Sequence, residues 1–419
     1  MHKIGLLASI IVAFNFSACG ELKKSTQDNT PKQPEVETKV TSPIQVGAAQ
    51  LEEYLPLLAG KKVAIMVNQT SMVGKSHVVD TLLQWGVNIV KIFAPEHGFR
   101  GDHSAGAHVN STIDDKTGLP IVSLYGNSRK PSKSMMKDVD LVVFDIQDVG
   151  VRFYTYISSM HYLMEACQEN DLEMMVLDRP NPNGHYVDGP VLDIAYKSFI
   201  GMHPVPLVHG MTVGEFATMI NGERWLTGGD TCKLTVIKCK NYSHDSMYQL
   251  PIRPSPNLPT MESIYLYPSL GLFEGTNVSI GRGTDKPFEV VGVPIDDSKP
   301  RKTVIPPKGW YVFTPKSIPG VSDHPKYEGV TCKGLLLTSF ANDFLVPSKR
   351  IYLELLSTMY LNNDVDLNGE YFKPFFTKLA GGPALQKQIE DGVSHEDIYK
   401  SWQPGLDAFN ITRSKYLLY

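Results

Sequence analysis

Val63-Ala64-Ile65-Met66-Val67-Asn68-Gln69-Thr70 is a run of five apolar residues that gives way at once to amides and a hydroxyl. A short run with no polar alternation reads as a strand buried on both faces, and such strands belong to parallel sheets flanked by helices. Outward from it, residues 87–93, 121–125, 141–146 and 174–177 repeat the pattern, with amphipathic helical spacing over residues 76–85 and 157–169. Thr212 and Glu215 have the spacing of a capping box, which starts another helix there. The expectation is an α/β fold, with a Rossmann-like N-terminal domain built on a parallel sheet over residues 46–253.

After Arg253 prolines and glycines become frequent, and the apolar runs at residues 290–294 and 335–339 are short and irregularly spaced. Helical spacing returns at 348–361 and 383–392, and Ser394 opens a last helix. Residues 254–419 are therefore expected to form a smaller α+β domain. Together, residues 46–419 exceed what one hydrophobic core usually supports.

The beginning of the chain sets the compartment. Lys3 precedes an apolar run, residues 4–16, too short to span a bilayer, and Phe16-Ser17-Ala18-Cys19 ends it with small residues before a cysteine. Residues 1–19 read as a lipoprotein signal whose Cys19 would carry the lipid; an ordinary secretory signal with an incidental cysteine is the alternative. Residues 20–45, rich in Lys, Thr, Gln, Pro and Glu, lack apolar periodicity and read as a flexible tether. The expected location is the cell envelope, membrane-attached through the lipid and facing the periplasm, with surface display also open.

A net charge of −4 and no basic run argue against nucleic acid as partner. Cys167, Cys232, Cys239 and Cys332 show no zinc-ligand spacing, and an extended segment between Cys232 and Cys239 would hold them too far apart to bond, so all read as buried thiols. No G-x-G-x-x-G follows the first strand, and G-x-x-x-x-G-K-[ST] and G-x-S-x-G are absent, so no nucleotide cofactor or serine-hydrolase elbow is indicated. His97, His103 and His108, with Asp102, match no metalloenzyme spacing, and no metal is expected.

Ligands of open α/β sheets bind beyond the carboxyl ends of the strands. Those ends carry Asn68, then Pro95-Glu96-His97-Gly98-Phe99-Arg100-Gly101, then Gln147-Asp148, then Asp178-Arg179-Pro180-Asn181, groups suited to a polyhydroxylated ligand. Glu96, between Pro95 and His97, can be held rigidly and partly desolvated, which suits a proton donor, and His97 would orient it. Glycoside hydrolysis usually needs a second carboxylate; Glu274 ranks first because it opens a glycine-rich loop, ahead of Asp145, Asp148 and Asp178. In that loop Arg282 offers a fork for a carboxylate.

Pro95 to Gly101, Phe144-Asp145-Ile146-Gln147-Asp148-Val149-Gly150-Val151-Arg152-Phe153-Tyr154-Thr155-Tyr156, Asp178-Arg179-Pro180-Asn181-Pro182-Asn183-Gly184 and Glu274-Gly275-Thr276-Asn277-Val278-Ser279-Ile280-Gly281-Arg282-Gly283-Thr284 together resemble the exo-β-N-acetylmuramidase family, from about residue 46 to the C-terminus in the same order. The resemblance implies a cleft between two domains and release of N-acetylmuramic acid from non-reducing ends of peptidoglycan-derived saccharides, in cell-wall turnover or recycling. It makes Glu96 the main acid and places Arg100, Gln147, Arg152, Tyr154, Asn277 and Arg282 around the pocket. Arg282 is assigned to the lactyl carboxylate that distinguishes muramic acid from glucosamine. The substrate's acetamido group could itself be the nucleophile, which would free Glu274 for another role. A non-catalytic muropeptide-binding lipoprotein and an envelope amidase or esterase are the competing readings.

Overall fold

In the computed structural model, which describes residues 42–96, 98–99, 112–126, 128–295, 309–361 and 370–419, the run Val63–Val67 is the centre of a seven-stranded sheet. Its strands are β1 (Val63–Val67), β2 (Ile89–Ala94), β3 (Thr112–Ile113), β4 (Pro120–Ser123), β5 (Leu141–Asp145), β6 (Glu173–Leu177) and β7 (Lys233–Ile237). They lie side by side in the order β3-β4-β2-β1-β5-β6-β7. All neighbours are parallel except β3, which runs antiparallel to β4 at the edge.

Every residue of β1 and β5 is buried because both faces of the sheet are covered. Val63, Ile65 and Val67 pack with Tyr54 and Leu58 of helix α1 (Leu51–Leu58) and Leu82 of α2 (Val78–Gln84). Ala64 and Met66 point the other way, into a core shared with α3 (Tyr156–Glu169) and α4 (Val213–Gly222). The alternation follows from the two-residue period of a strand. Thr212 accepts from Glu215 N at 3.3 Å while Glu215 Oε2 accepts from Thr212 N at 2.9 Å, the expected capping box.

The five expected strands are present, with ends shifted by no more than two residues. Thr112–Ile113, short and exposed, has no pattern to read. Lys233–Ile237 is the far edge strand, and its mostly half-buried residues mute the apolar signal. The four cysteines named above are buried free thiols, and β7 separates Cys232 from Cys239.

The second half begins with α5 (Met261–Leu270) and contains a three-stranded antiparallel sheet of β8 (Val290–Pro294), β9 (Tyr311–Phe313) and β10 (Cys332–Leu336), in the order β8-β10-β9. Helices α6 (Leu353–Leu361), α7 (Pro374–Ala380), α8 (Ala384–Glu390) and α9 (His395–Ser414) follow, the last capped by Ser394 as expected. The helix expected from residue 348 starts only at Leu353, because Lys349 turns left-handed with φ of 52°.

Residues 43–419 form one unit, and the core behind α3 continues through Phe273, Phe376 and Trp402 of the second half. The end of the chain returns to the large sheet. Leu418 N donates to Glu215 Oε1 at 2.8 Å, Tyr416 Oη to Glu223 at 2.7 Å, and Tyr419 Oη to Asp178 Oδ2 at 2.7 Å while accepting from Cys239 N at 2.8 Å. Among the described residues no helix is long and apolar enough to cross a membrane.

Candidate active site

After β1 the chain moves to β2 on one side and later to β5 on the other, so the switch in winding direction opens a crevice at the carboxyl ends of these strands. Glu96 stands there, two residues past β2, half-buried. Tyr125, just past β4, donates its hydroxyl to Glu96 Oε1 at 3.1 Å; Thr155, immediately before α3, donates to Oε2 at 3.2 Å. The carboxyl is thus held by residues from the connections that follow two further strands. Glu96 lines a cavity of about 150 Å³ together with Tyr154, Thr155, Asn257, Glu274 and Arg282.

The opposite wall comes from the glycine-rich loop. Arg282 Nε donates to Glu274 Oε1 at 2.7 Å with Nη2 2.5 Å from the same oxygen, and the guanidinium lies 5.0 Å from the ring centre of Phe288. The second carboxylate expected from sequence and the arginine expected to read the substrate are therefore an ion pair. Gly281, with φ of +77° and no room for a side chain against Lys286 O, makes the turn that presents Arg282. Beneath the loop Lys326 is largely buried and donates to Thr276 O at 2.5 Å and Val278 O at 3.0 Å. Burial pushes its ammonium down to about 8.

Four of the expected site residues, Glu96, Tyr154, Glu274 and Arg282, meet in this cavity. Tyr154 presents its ring, because its hydroxyl is committed to Pro254 O at 2.8 Å. Arg152 does not reach the wall: its buried guanidinium ties together Pro190 O at 2.6 Å, Val205 O at 2.8 Å and Leu379 O at 3.0 Å. Gln147 is likewise spent on Asp148 O and Pro180 O, at 2.8 and 2.7 Å. Asp178 is fully buried and accepts from Arg179 N, Thr212, Gly214 N and Tyr419, which makes it the anchor of the α4 N-terminus. Asp145 is held bidentately by Arg179 at 2.5 and 2.9 Å. Asn277 lies within the glycine-rich loop, its carbonyl accepting from the Tyr327 hydroxyl. His97 and Arg100, the cluster with Asp102, His103 and His108, and Cys19 lie outside the described residues.

Asn68 and Asp148 occupy the floor of the crevice. Asn68 Oδ1 accepts from Thr70, and Asp148 Oδ1 accepts from Gly150 N at 2.7 Å, yet Asp148 Oδ2 is buried without a hydrogen-bond partner among the described residues. Burial pushes the Asp148 carboxyl up to about 7, against the pull of the Gly150 and Val149 amides. Gly150 takes φ of +76°, and a Cβ there would come 2.3 Å from the Asn181 side chain.

Tyr125, Thr155, Asn257 and Lys326 are the functional positions the sequence reading does not name. Tyr125 and Thr155 carry the same signal as Glu96, a polar group at a strand end or helix start. Asn257 and Lys326 carry none, because they enter from irregular segments, just before α5 and between β9 and β10. Asn257 Nδ2 donates to Val321 O at 2.7 Å, and its buried Oδ1 has no partner among the described residues, which leaves an acceptor at the cavity.

Comparison with known proteins agrees with this architecture. Two solved structures of DUF1343 family proteins from Bacteroides fragilis superpose with TM-scores of 0.80 and 0.73, at 48% and 30% sequence identity, each covering 90% of this chain and 99% of the other. A Bacillus subtilis protein, peptidoglycan beta-N-acetylmuramidase NamZ, is 38% identical over 98% of this chain and 97% of its own length. Residues 63–262 match the family model for the N-terminal part of exo-beta-N-acetylmuramidase NamZ and residues 265–419 the model for its C-terminal part, so the chain belongs to the exo-β-N-acetylmuramidase NamZ family.

Proposed function

We propose that the protein is an exo-acting glycosidase that releases N-acetylmuramic acid from the non-reducing ends of peptidoglycan fragments. The observation that carries this reading is Glu96 held between two hydroxyls across one cavity from the Glu274–Arg282 pair. Hydroxyl hydrogens rotate, so Tyr125 and Thr155 can support the Glu96 carboxyl both before and after it gives a proton to the glycosidic oxygen. Glu274 supplies negative charge where positive charge develops on the sugar ring. The guanidinium donors that Glu274 leaves to Arg282 pair with the lactyl carboxylate. Asn257 Oδ1 accepts from the acetamido N–H, which orients that group whether or not its carbonyl serves as nucleophile.

Export with a lipid on Cys19 would place the enzyme in the envelope, where fragments for turnover or recycling arise. The test is hydrolysis of a chromogenic N-acetylmuramide and its N-acetylglucosaminide counterpart by the mature protein and by Glu96→Gln. Release from the muramide alone, lost by about 10²-fold or more in the variant, is expected of a general acid. Binding of muramic saccharides without turnover would instead make the protein a receptor.

A further inference from the structure

A second cleft, of about 540 Å³, is lined by Gly126, Arg129, Lys130, Tyr162 and Glu165. Two pairs of adjacent residues join it to the Glu96 cavity. Tyr125, which holds Glu96, precedes Gly126; Phe199, on which Arg129 and Tyr162 rest, precedes Ile200 in the cavity wall. Tyr162 and Glu165 follow Thr155 along α3, which places them about 10–15 Å from it at 1.5 Å per residue. The cleft therefore lies beside the cavity, at a distance on the scale of a disaccharide.

Its two cations are not equivalent. Lys130 is neutralised by Glu165 at 3.2 Å and Glu169 at 2.6 Å. Arg129 is exposed, makes no ion pair among the described residues, and lies 4.1 Å from the ring centre of Phe199, with Tyr162 nearly parallel to that ring at 9°. A guanidinium resting on an aromatic face keeps its in-plane N–H fork available for a carboxylate. Aromatic surface beside an unspent fork suits a sugar that carries an acid.

We propose that this cleft binds the leaving-group side of the saccharide, and that Arg129 pairs with a carboxylate two sugars beyond the scissile bond, on the lactyl or stem-peptide group of the next muramic unit. The assignment rests on the glycosidase reading above. It makes longer fragments better substrates than the terminal disaccharide.

The test compares kcat and KM of the full-length protein, Arg129→Ala and Arg129→Lys on a muramic-glucosamine disaccharide and on the trisaccharide ending in a second muramic acid. Wild type is expected to prefer the trisaccharide in kcat/KM by about tenfold, as for a charge-assisted pair. Arg129→Ala should erase the preference through KM, and Arg129→Lys should recover part of it. An unchanged preference in Arg129→Ala, or none in wild type, overturns the proposal. If wild type cleaves neither saccharide, the glycosidase reading falls, and calorimetry with the glucosamine-muramic disaccharide decides the cleft. Binding weakened about tenfold in Arg129→Ala upholds it, whereas equal binding or none in wild type ends it.

Discussion

Replacing Asp148 by Asn should flatten a pH dependence of stability that runs opposite to ordinary acid denaturation. Asp148 is almost fully buried, one oxygen satisfied by Gly150 N and the other by nothing described, and burial raises its carboxyl from 3.8 to about 7. Between those values the native state keeps the proton and the unfolded chain has lost it, so folding is favoured at the acid end and weakens as pH rises through the window. At about 1.4 kcal/mol per unit, the shift is worth on the order of 4 kcal/mol across the window and about 3 between pH 4.5 and 7.5. Asp178 and Asp188, each pushed up to about 6 by burial, add a similar slope to both proteins, so the readout is the difference between them. Asn keeps the acceptor for Gly150 and cannot ionise. Urea unfolding at the two pH values should show Asp148→Asn gaining about 3 kcal/mol relative to wild type at the higher one; parallel profiles would mean that Asp148 is already ionised in the fold and that the reasoning from burial is wrong.

Three further outcomes follow from single contacts. Lys326→Met removes the donor beneath the glycine-rich loop, and should cost about 2 kcal/mol in thermal unfolding and raise KM on the muramide more than it lowers kcat. Asp145→Asn strips the buried Arg179 of its bidentate partner, for which about 3–5 kcal/mol is expected in chemical denaturation; a loss below 1 kcal/mol would contradict the burial of that pair. Tyr125→Phe and Thr155→Val each remove one hydroxyl from Glu96 and should lower kcat by about tenfold with KM little changed, in steady-state assays on the muramide.

The sheet was legible because its inner strands are covered on both faces, which writes them as unbroken apolar runs. The edges were less so: Thr112–Ile113 is exposed and gives no pattern, and Lys233–Ile237, half-buried, reads only as an extended segment between two cysteines. Within the site, the strand-end rule located Glu96 but could not separate Asp148, Asp178 and Asp145. Each follows or ends a strand, and only tertiary contact shows Asp178 capping α4 and Asp145 gripped by Arg179. Arg152 misled for a similar reason. A polar residue at the crevice edge can turn inward to collect backbone carbonyls as readily as outward to a ligand, and sequence does not encode the direction.

The contacts of Tyr419 bear on the order in which the molecule can be assembled. Asp178 directly follows β6, yet one of its donors is Tyr419, 241 residues further along the chain, and the same hydroxyl accepts from Cys239 N just past β7. A chain emerging from its N-terminus could pair β1 through β7 and still leave that buried carboxylate short of a donor until Tyr419 arrives. The polar anchoring of the sheet is thus finished by a residue far along the chain from its strands. A chain cut before Tyr419 would carry its defect at Asp178, beside β6, rather than at the cut.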